Sequence, residues 1–266
     1  MLKQRLLTAV TLGALIVWIT LTLPTLWFGI TLLIMVLLGA WEWSSILFRT
    51  GRFFFCACIT TLISAAWFLL DSPIFIELIL ISAGLFWCLV IAWLWHYVIH
   101  LLPFPILTWT LAGLLTLIPA WVALMSLHAT SHFGPRYVLF LLLLIWIADS
   151  AAYFVGRRWG RTKLVPRISP GKTWEGVAGA LTATLAVAGA GAASLGIRRW
   201  ETFMLICIIT VLFSVTGDLL ESMLKRQYHI KDSGHLLPGH GGILDRVDSL
   251  TAAAPIFLLG LHGFSL

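Results

Sequence analysis

Charge is what this sequence has least of. Only 11% of its 266 residues are Asp, Glu, Lys or Arg, whereas 60% are hydrophobic. A soluble domain carries about 25% charged and about 45–50% apolar residues, so this balance excludes an ordinary water-soluble fold. Cysteine is sparse as well. Cys56, Cys58, Cys88 and Cys207 lie inside apolar runs with no CxxC spacing, which excludes a zinc site or a disulfide framework and leaves small core hydrophobes. No small-x-small cleavage site follows the run from Leu6 to Leu23, which is long for a secretory leader. The run is therefore expected to be an uncleaved first span, despite Lys3 and Arg5 ahead of it. No basic surface interleaved with aromatics accompanies the net charge of +6, so nucleic acid is not an expected partner. Internal repeats, common in transporters, are missing too.

What the chain has is apolar length. A hydrocarbon core takes about 20 helical residues, and nine candidate spans fall at about 6–23, 25–48, 53–70, 74–96, 105–127, 137–156, 174–196, 201–224 and 246–264. Eight spans with a re-entrant start are the alternative. Helices are the default because a backbone in lipid must satisfy its own hydrogen bonds, so the expected fold is an all-α polytopic bundle. Trp41, Trp43, Trp93, Trp95, Trp159 and Trp200 sit near span ends, where amphipathic rings favour the headgroup layer. Gly176, Gly179, Gly189 and Gly191 predict close packing of the seventh span.

Orientation follows from Lys and Arg. With the N-terminus inside and nine alternating spans, fourteen of the seventeen fall on the cytoplasmic side, leaving Arg136, Arg198 and Arg199 outside. The pattern predicts an N-in, C-out topology. Residues 1–135 are expected to form a scaffold and dimerisation region. Residues 136–266 form a catalytic region with two polar cytoplasmic loops, 157–173 and 225–246.

The acids within spans point to chemistry. A carboxylate in mid-span costs about 2.5–3.5 kcal/mol on insertion scales and is a functional candidate by default. Asp149 lies seven residues before Gly156, and Asp218 seven before Lys225. At 1.5 Å per residue both sit about 10 Å below the cytoplasmic boundary and can share one polar cavity. Asp245 and Asp248 stand at i and i+3 on one helical face, as do Asp218 and Glu221. Clustered carboxylates repel unless a cation neutralises them, which nominates Asp218, Asp245, Asp248 and Asp149 for Mg²⁺, with room for a second cation. For Glu221, pairing with Lys225 at i+4 is the expected role. Glu42 is a lone interfacial acid for which structural pairing is expected.

Two loops supply cations. The stretch from Ser233 to Gly242 is glycine-rich and opens into a helix near Asp245, so backbone N–H groups of Gly239, Gly241 and Gly242 can approach an anion. Lys225, Arg226, Lys231 and Arg246 flank it in numbers suited to a triphosphate, and His240 can donate to a phosphate. His229 and His235 are expected to be surface histidines, and the pairs His96/His100 and His128/His132 to mark wet interfaces. The other loop holds Ser169-Pro170-Gly171-Lys172-Thr173. It is not a Walker A motif, because Pro166 stands where the first Gly belongs and a transmembrane helix replaces the preceding strand. Lys172, Ser169 and Thr173 still stand ahead of a helix N-terminus as phosphate contacts. Arg157, Arg158, Arg161, Lys163 and Arg167 answer to topology and anionic lipid.

Ser222-Met223-Leu224-Lys225-Arg226, Lys231-Asp232-Ser233-Gly234-His235 and Pro238-Gly239-His240-Gly241-Gly242-Ile243-Leu244-Asp245-Arg246-Val247-Asp248-Ser249 together resemble the signature of the phosphatidate cytidylyltransferases, or CDP-diacylglycerol synthases. The Ser169 to Gly176 loop and Asp149-Ser150-Ala151-Ala152-Tyr153 are similar to that family too, so the likeness covers about 145–255. It implies a dimeric enzyme of a bacterial-type inner membrane that joins CTP to phosphatidate, giving CDP-diacylglycerol and pyrophosphate. It also implies a Mg²⁺-dependent dimetal centre at Asp218 and Asp245, with Lys172, Lys225, Arg226, Lys231, Asp232, His240 and Arg246 as catalytic groups. Ser169, Thr173, Ser222, Gly239, Gly241 and Gly242 would contact substrate. A CTP-dependent polyprenol or phytol kinase is the nearest rival, and a cation or proton transporter using Asp149 and Asp218 the more distant one.

Overall fold

The computed structural model describes the backbone of residues 2–48, 50–100, 102–130, 133–234, 236 and 241–264, with side chains from Val10 onward. Within them the chain forms nine helices and one short hairpin. The helices are α1 (Leu2–Thr22), α2 (Thr25–Leu47), α3 (Arg52–Leu69), α4 (Pro73–His100), α5 (Ile106–Ala129), α6 (Gly134–Trp159), α7 (Trp174–Leu195), α8 (Trp200–Gln227) and α9 (Leu244–Gly263). Seven of them, α2 to α8, are long and apolar enough to cross a membrane. The described apolar stretch of α1, Val10–Thr22, is shorter. The charges of Asp245, Arg246 and Asp248 crowd the start of α9.

Pro24 separates α1 from α2 with extended backbone at φ −56° and ψ 151°, so the first turn between helices is tight. Leu, Phe and Trp side chains face outward along most helices, Phe53, Phe68, Leu85 and Trp95 among the most exposed. That inversion is what a lipid solvent permits. The interior is built around α5, α8 and α9. Trp43, Trp87, Trp109 and Trp121 are buried there, and Trp43 and Trp121 donate to the carbonyls of Trp109 (3.0 Å) and Gly29 (3.1 Å). Most buried indole N–H groups find such a partner, whereas Trp87 Nε1 is buried without one among the described residues. The seventh span packs closely against α6: a Cβ at Gly179 would run into Val155, and one at Gly191 into Phe140.

The elements alternate between the two ends of the bundle. At one end Gln227, closing α8, accepts from the Phe104 N–H (2.9 Å) and Trp109 Nε1 (3.0 Å) and donates to the Phe104 carbonyl (2.8 Å), which stitches α8 to the α4–α5 connection. At the other end His128 of α5 lies between Thr25 Oγ1 (3.2 Å) and the Thr20 carbonyl (3.1 Å).

The polar segment after α6 is ordered beyond what its composition predicts. Strands β1 (Lys163–Val165) and β2 (Ser169–Thr173) pair antiparallel, with Lys163 opposite Thr173 and Val165 opposite Ser169. Pro166 and Arg167 form the turn, closed by Ile168 N–H donating to the Val165 carbonyl at 3.1 Å. Proline presets φ for the first central position of such a turn.

Candidate active site

The hairpin is fastened to the bundle at its turn. Ile168 is fully buried, its carbonyl accepts from Arg226 Nε of α8 at 3.1 Å, and Arg167 Nη1 donates to the Val98 carbonyl of α4 at 2.6 Å. Strand β2 then runs along the end of the bundle and aims Lys172 inward, where its Nζ meets Asp218 Oδ2 at 2.6 Å. Thr173 is buried and its Oγ1 accepts from the Gly176 N–H at 3.1 Å, so this expected substrate contact caps α7. Ser169 is half-buried on the same strand. Arg226, a nominated phosphate ligand, spends its Nε on the hairpin.

Helices α8 and α9 approach closely at Gly217, where a Cβ would strike the Asp248 carbonyl and the side chain of Ala252. The missing side chain brings Asp218 beside Asp248. Asp149, from α6, stands within electrostatic range of Asp218 and Lys172 and next to Ser249. Ser222 Oγ donates to Asp218 Oδ1 at 3.2 Å. One turn along α8, the buried Glu221 faces Asp248 and lies within range of Asp245. Lys225 Nζ sits 3.1 Å from Glu221 Oε1 and 2.6 Å from Asp245 Oδ1. Five carboxylates, Asp149, Asp218, Asp248, Glu221 and Asp245, thus form a row with Lys172 near one end and Lys225 near the other. Helical spacing put these acids on two faces; the α8–α9 crossing joins the faces.

Asp245 also organises the loop before α9. Its Oδ2 accepts from the Ser233 N–H (3.1 Å), Ser233 Oγ (3.1 Å) and the Gly242 N–H (2.9 Å). Gly242, expected to offer its N–H to substrate, offers it to this acid. Gly241 adopts φ +80°, a left-handed conformation that suits glycine. Lys231 and Asp232 are exposed at the loop's start, and Arg246 is exposed on the first turn of α9. Gly239, His240 and His235 lie outside the described residues.

Gly217 escaped the sequence reading, and Glu42 was expected only to be paired structurally, with its partners unnamed. Gly217 was one glycine among 22, and only its place directly before a mid-span aspartate marks it. Glu42 of α2 is buried, with Oε1 accepting from the Ile243 N–H (3.0 Å) and Oε2 from the Leu244 N–H (2.8 Å) and Ser233 Oγ (3.0 Å). The signal was there: an acid at a span end with no basic residue within four positions on either side.

The donor chemistry fits a hard divalent cation. Five carboxylates outnumber two lysines, and the buried Glu221, its Oε1 3.1 Å from Lys225 Nζ, faces Asp248. Apposed carboxyl groups of this kind call for a proton or a cation between them. Among the described residues no three acid, His or Cys side chains stand in a ready metal-binding group, and Asp218 and Asp245 each hold a lysine.

Residues 3–264 match the cytidylyltransferase family. The chain belongs to that family. It is similar to a protein of Haemophilus influenzae named phosphatidate cytidylyltransferase, 39% identical over 97% of both chains. It is also similar to one of that name from Pseudomonas aeruginosa, 38% identical over 97% of this chain and 96% of the relative. A Brucella melitensis protein of the same name is 44% identical over 57% of this chain and 56% of its own. Membership makes the chain a multi-pass membrane nucleotidyltransferase, and the row of acids lies in the half that the earlier motif reading singled out.

Proposed function

We propose that this chain transfers the cytidylyl group of CTP to phosphatidate, releasing pyrophosphate and leaving CDP-diacylglycerol in the membrane. The observation that carries this reading is the five-carboxylate row bracketed by Lys172 and Lys225 at one end of a membrane bundle, in a chain so similar along its length to proteins of that name.

The nucleophile is a phosphate oxygen of phosphatidate. It is already anionic, so no residue has to remove a proton from it, and catalysis reduces to alignment and charge neutralisation. Lys172, Lys225, Lys231 and Arg246 hold the phosphates of the two substrates, and Arg226 adds charge while fixing the hairpin that carries Lys172. The row of Asp218, Asp245, Asp248 and Asp149, with Glu221 beside it, would hold Mg²⁺. The bound ion would polarise the α-phosphate and stabilise the departing pyrophosphate. Ser169, Ser222, Gly239 and Gly241 complete the substrate contacts, with His240 as a further donor, while the Gly242 N–H serves Asp245.

The site faces the cytoplasm of a bacterial-type inner membrane in our reading, with nine spans running N-in to C-out, because the Lys and Arg excess lies at this end. CTP enters from water while the acyl tails stay in lipid. Residues 1–135 serve as scaffold in a homodimer and 136–266 carry most of the chemistry.

The test uses purified protein, phosphatidate, Mg²⁺ and CTP labelled separately at the α and γ phosphates. Lipid carrying the α label, with the γ label in pyrophosphate, is the expected result. Lipid carrying the γ label would make the protein a kinase, and no labelled lipid at all would sink the nucleotide reading.

A further inference from the structure

The loop that precedes α9 closes around a carboxylate from the opposite half of the chain. Glu42 is only 6% exposed, and no Lys or Arg forms an ion pair with it among the described residues. Its charge is met instead by two backbone N–H groups and one hydroxyl: Ile243 N at 3.0 Å, Leu244 N at 2.8 Å and Ser233 Oγ at 3.0 Å. Those amides belong to the first turn of α9, whose own N-cap residue, Ile243, supplies no side-chain cap. Glu42 therefore caps α9 from α2, where the helix dipole favours a negative charge. The loop is shaped to admit it. A Cβ at Gly234 or at Gly242 would collide with the Glu42 carboxylate.

The next link reaches the row of acids. Ser233 Oγ lies 3.0 Å from Glu42 Oε2 and 3.1 Å from Asp245 Oδ2, and one hydroxyl hydrogen serves both. The Ser233 N–H holds the same Asp245 oxygen at 3.1 Å. Asp245 is thus fixed on two sides by groups that Glu42 anchors: the α9 first turn that bears it and the Ser233 hydroxyl that touches it.

We propose that Glu42 is a positioning residue of the active site, capping α9 and, through Ser233, setting the orientation of Asp245 toward its cation. The proposal rests on the cytidylyl-transfer reading for its kinetic consequences and on geometry alone for the capping. Glu42→Gln keeps the shape but turns an amide N–H₂ toward donors, so it cannot accept from Ile243, Leu244 and Ser233 together. Partners that orient a metal ligand typically contribute about 10–100-fold in affinity or activity. The expected result is a loss of kcat of about tenfold or more, a rise of similar size in the Mg²⁺ concentration for half-maximal rate, and KM for CTP within about twofold of the parent. Glu42→Asp, which keeps the charge, should recover part of both losses. In the absence of substrates, trypsin should nick the full chain after Lys231 faster in Glu42→Gln than in the parent.

A purely structural Glu42 would lower the thermal midpoint in detergent and leave kcat and Mg²⁺ half-activation of the folded fraction unmoved; that outcome overturns the proposal. Should Glu42→Gln fail to fold, Ser233→Ala decides: a raised Mg²⁺ requirement supports the relay, and an unchanged one sinks it. If the parent protein itself makes no labelled lipid, the functional reading fails separately, and the trypsin comparison alone still tests the cap. Equal nicking would then remove it.

Discussion

Lys172 and Asp218 meet at 2.6 Å, one from a two-stranded hairpin at the rim and the other from the interior of a membrane helix. Their side chains are 23% and 32% exposed, so the pair is neither a screened surface contact nor a sealed one. Removing one partner of a partly buried pair leaves the other charge uncompensated. The hairpin is held by Arg226 and Arg167 through backbone carbonyls, so the position of Lys172 is set by packing rather than by its attraction to Asp218.

Lys172→Met should therefore lower kcat by about 10²–10³, the usual scale for deleting one aligned donor to developing charge. Labelled-CTP turnover in detergent measures it. Kinetics equal to the parent would take Lys172 out of the site.

Asp245→Asn should abolish turnover, and it should loosen the loop as well. An Asn side chain has one acceptor atom where Asp245 Oδ2 receives three donors and Oδ1 receives Lys225. Buried donors left unpaired cost about 1–3 kcal/mol each. A lower thermal midpoint together with lost activity is expected. Full activity would remove Asp245 from the chemistry.

Gly217→Ala places a Cβ against the Asp248 carbonyl. Overpacking of this kind costs about 1–3 kcal/mol. Because it parts Asp248 from Asp218, activity should fall even at temperatures where the variant stays folded. Gly13→Ala, where a Cβ meets nothing within 4 Å, serves as the neutral control, within about 0.5 kcal/mol of the parent. Equal stability of the two variants would count against a tight α8–α9 crossing.

Apolar length announced the helices directly, since lipid imposes one rule on every span. Asp149, Asp218, Asp245 and Asp248 were legible because a carboxylate in an apolar run is conspicuous and because i, i+3 spacing defines a face. The hairpin was not. Lys163–Val165 and Ser169–Thr173 are too short for periodicity to register, and their pairing depends on anchors at Val98 and Arg226 that are distant in sequence. Glu42 looked like an isolated acid for the same reason, its partners being backbone amides that carry no sequence signature. The Lys225–Glu221 pair was foreseen, but Lys225 also reaches Asp245, which helical spacing alone could not disclose.

The bond between Glu42 and the Leu244 N–H joins residues 202 positions apart. A ribosome adding about 5–20 residues per second takes about 10–40 s to cover that distance. Throughout that interval α2 is already made while the amides that neutralise its acid do not yet exist. The growing chain therefore carries Glu42 without its α9 partners until Leu244 has been added, and the reaction centre cannot be assembled before that point in translation.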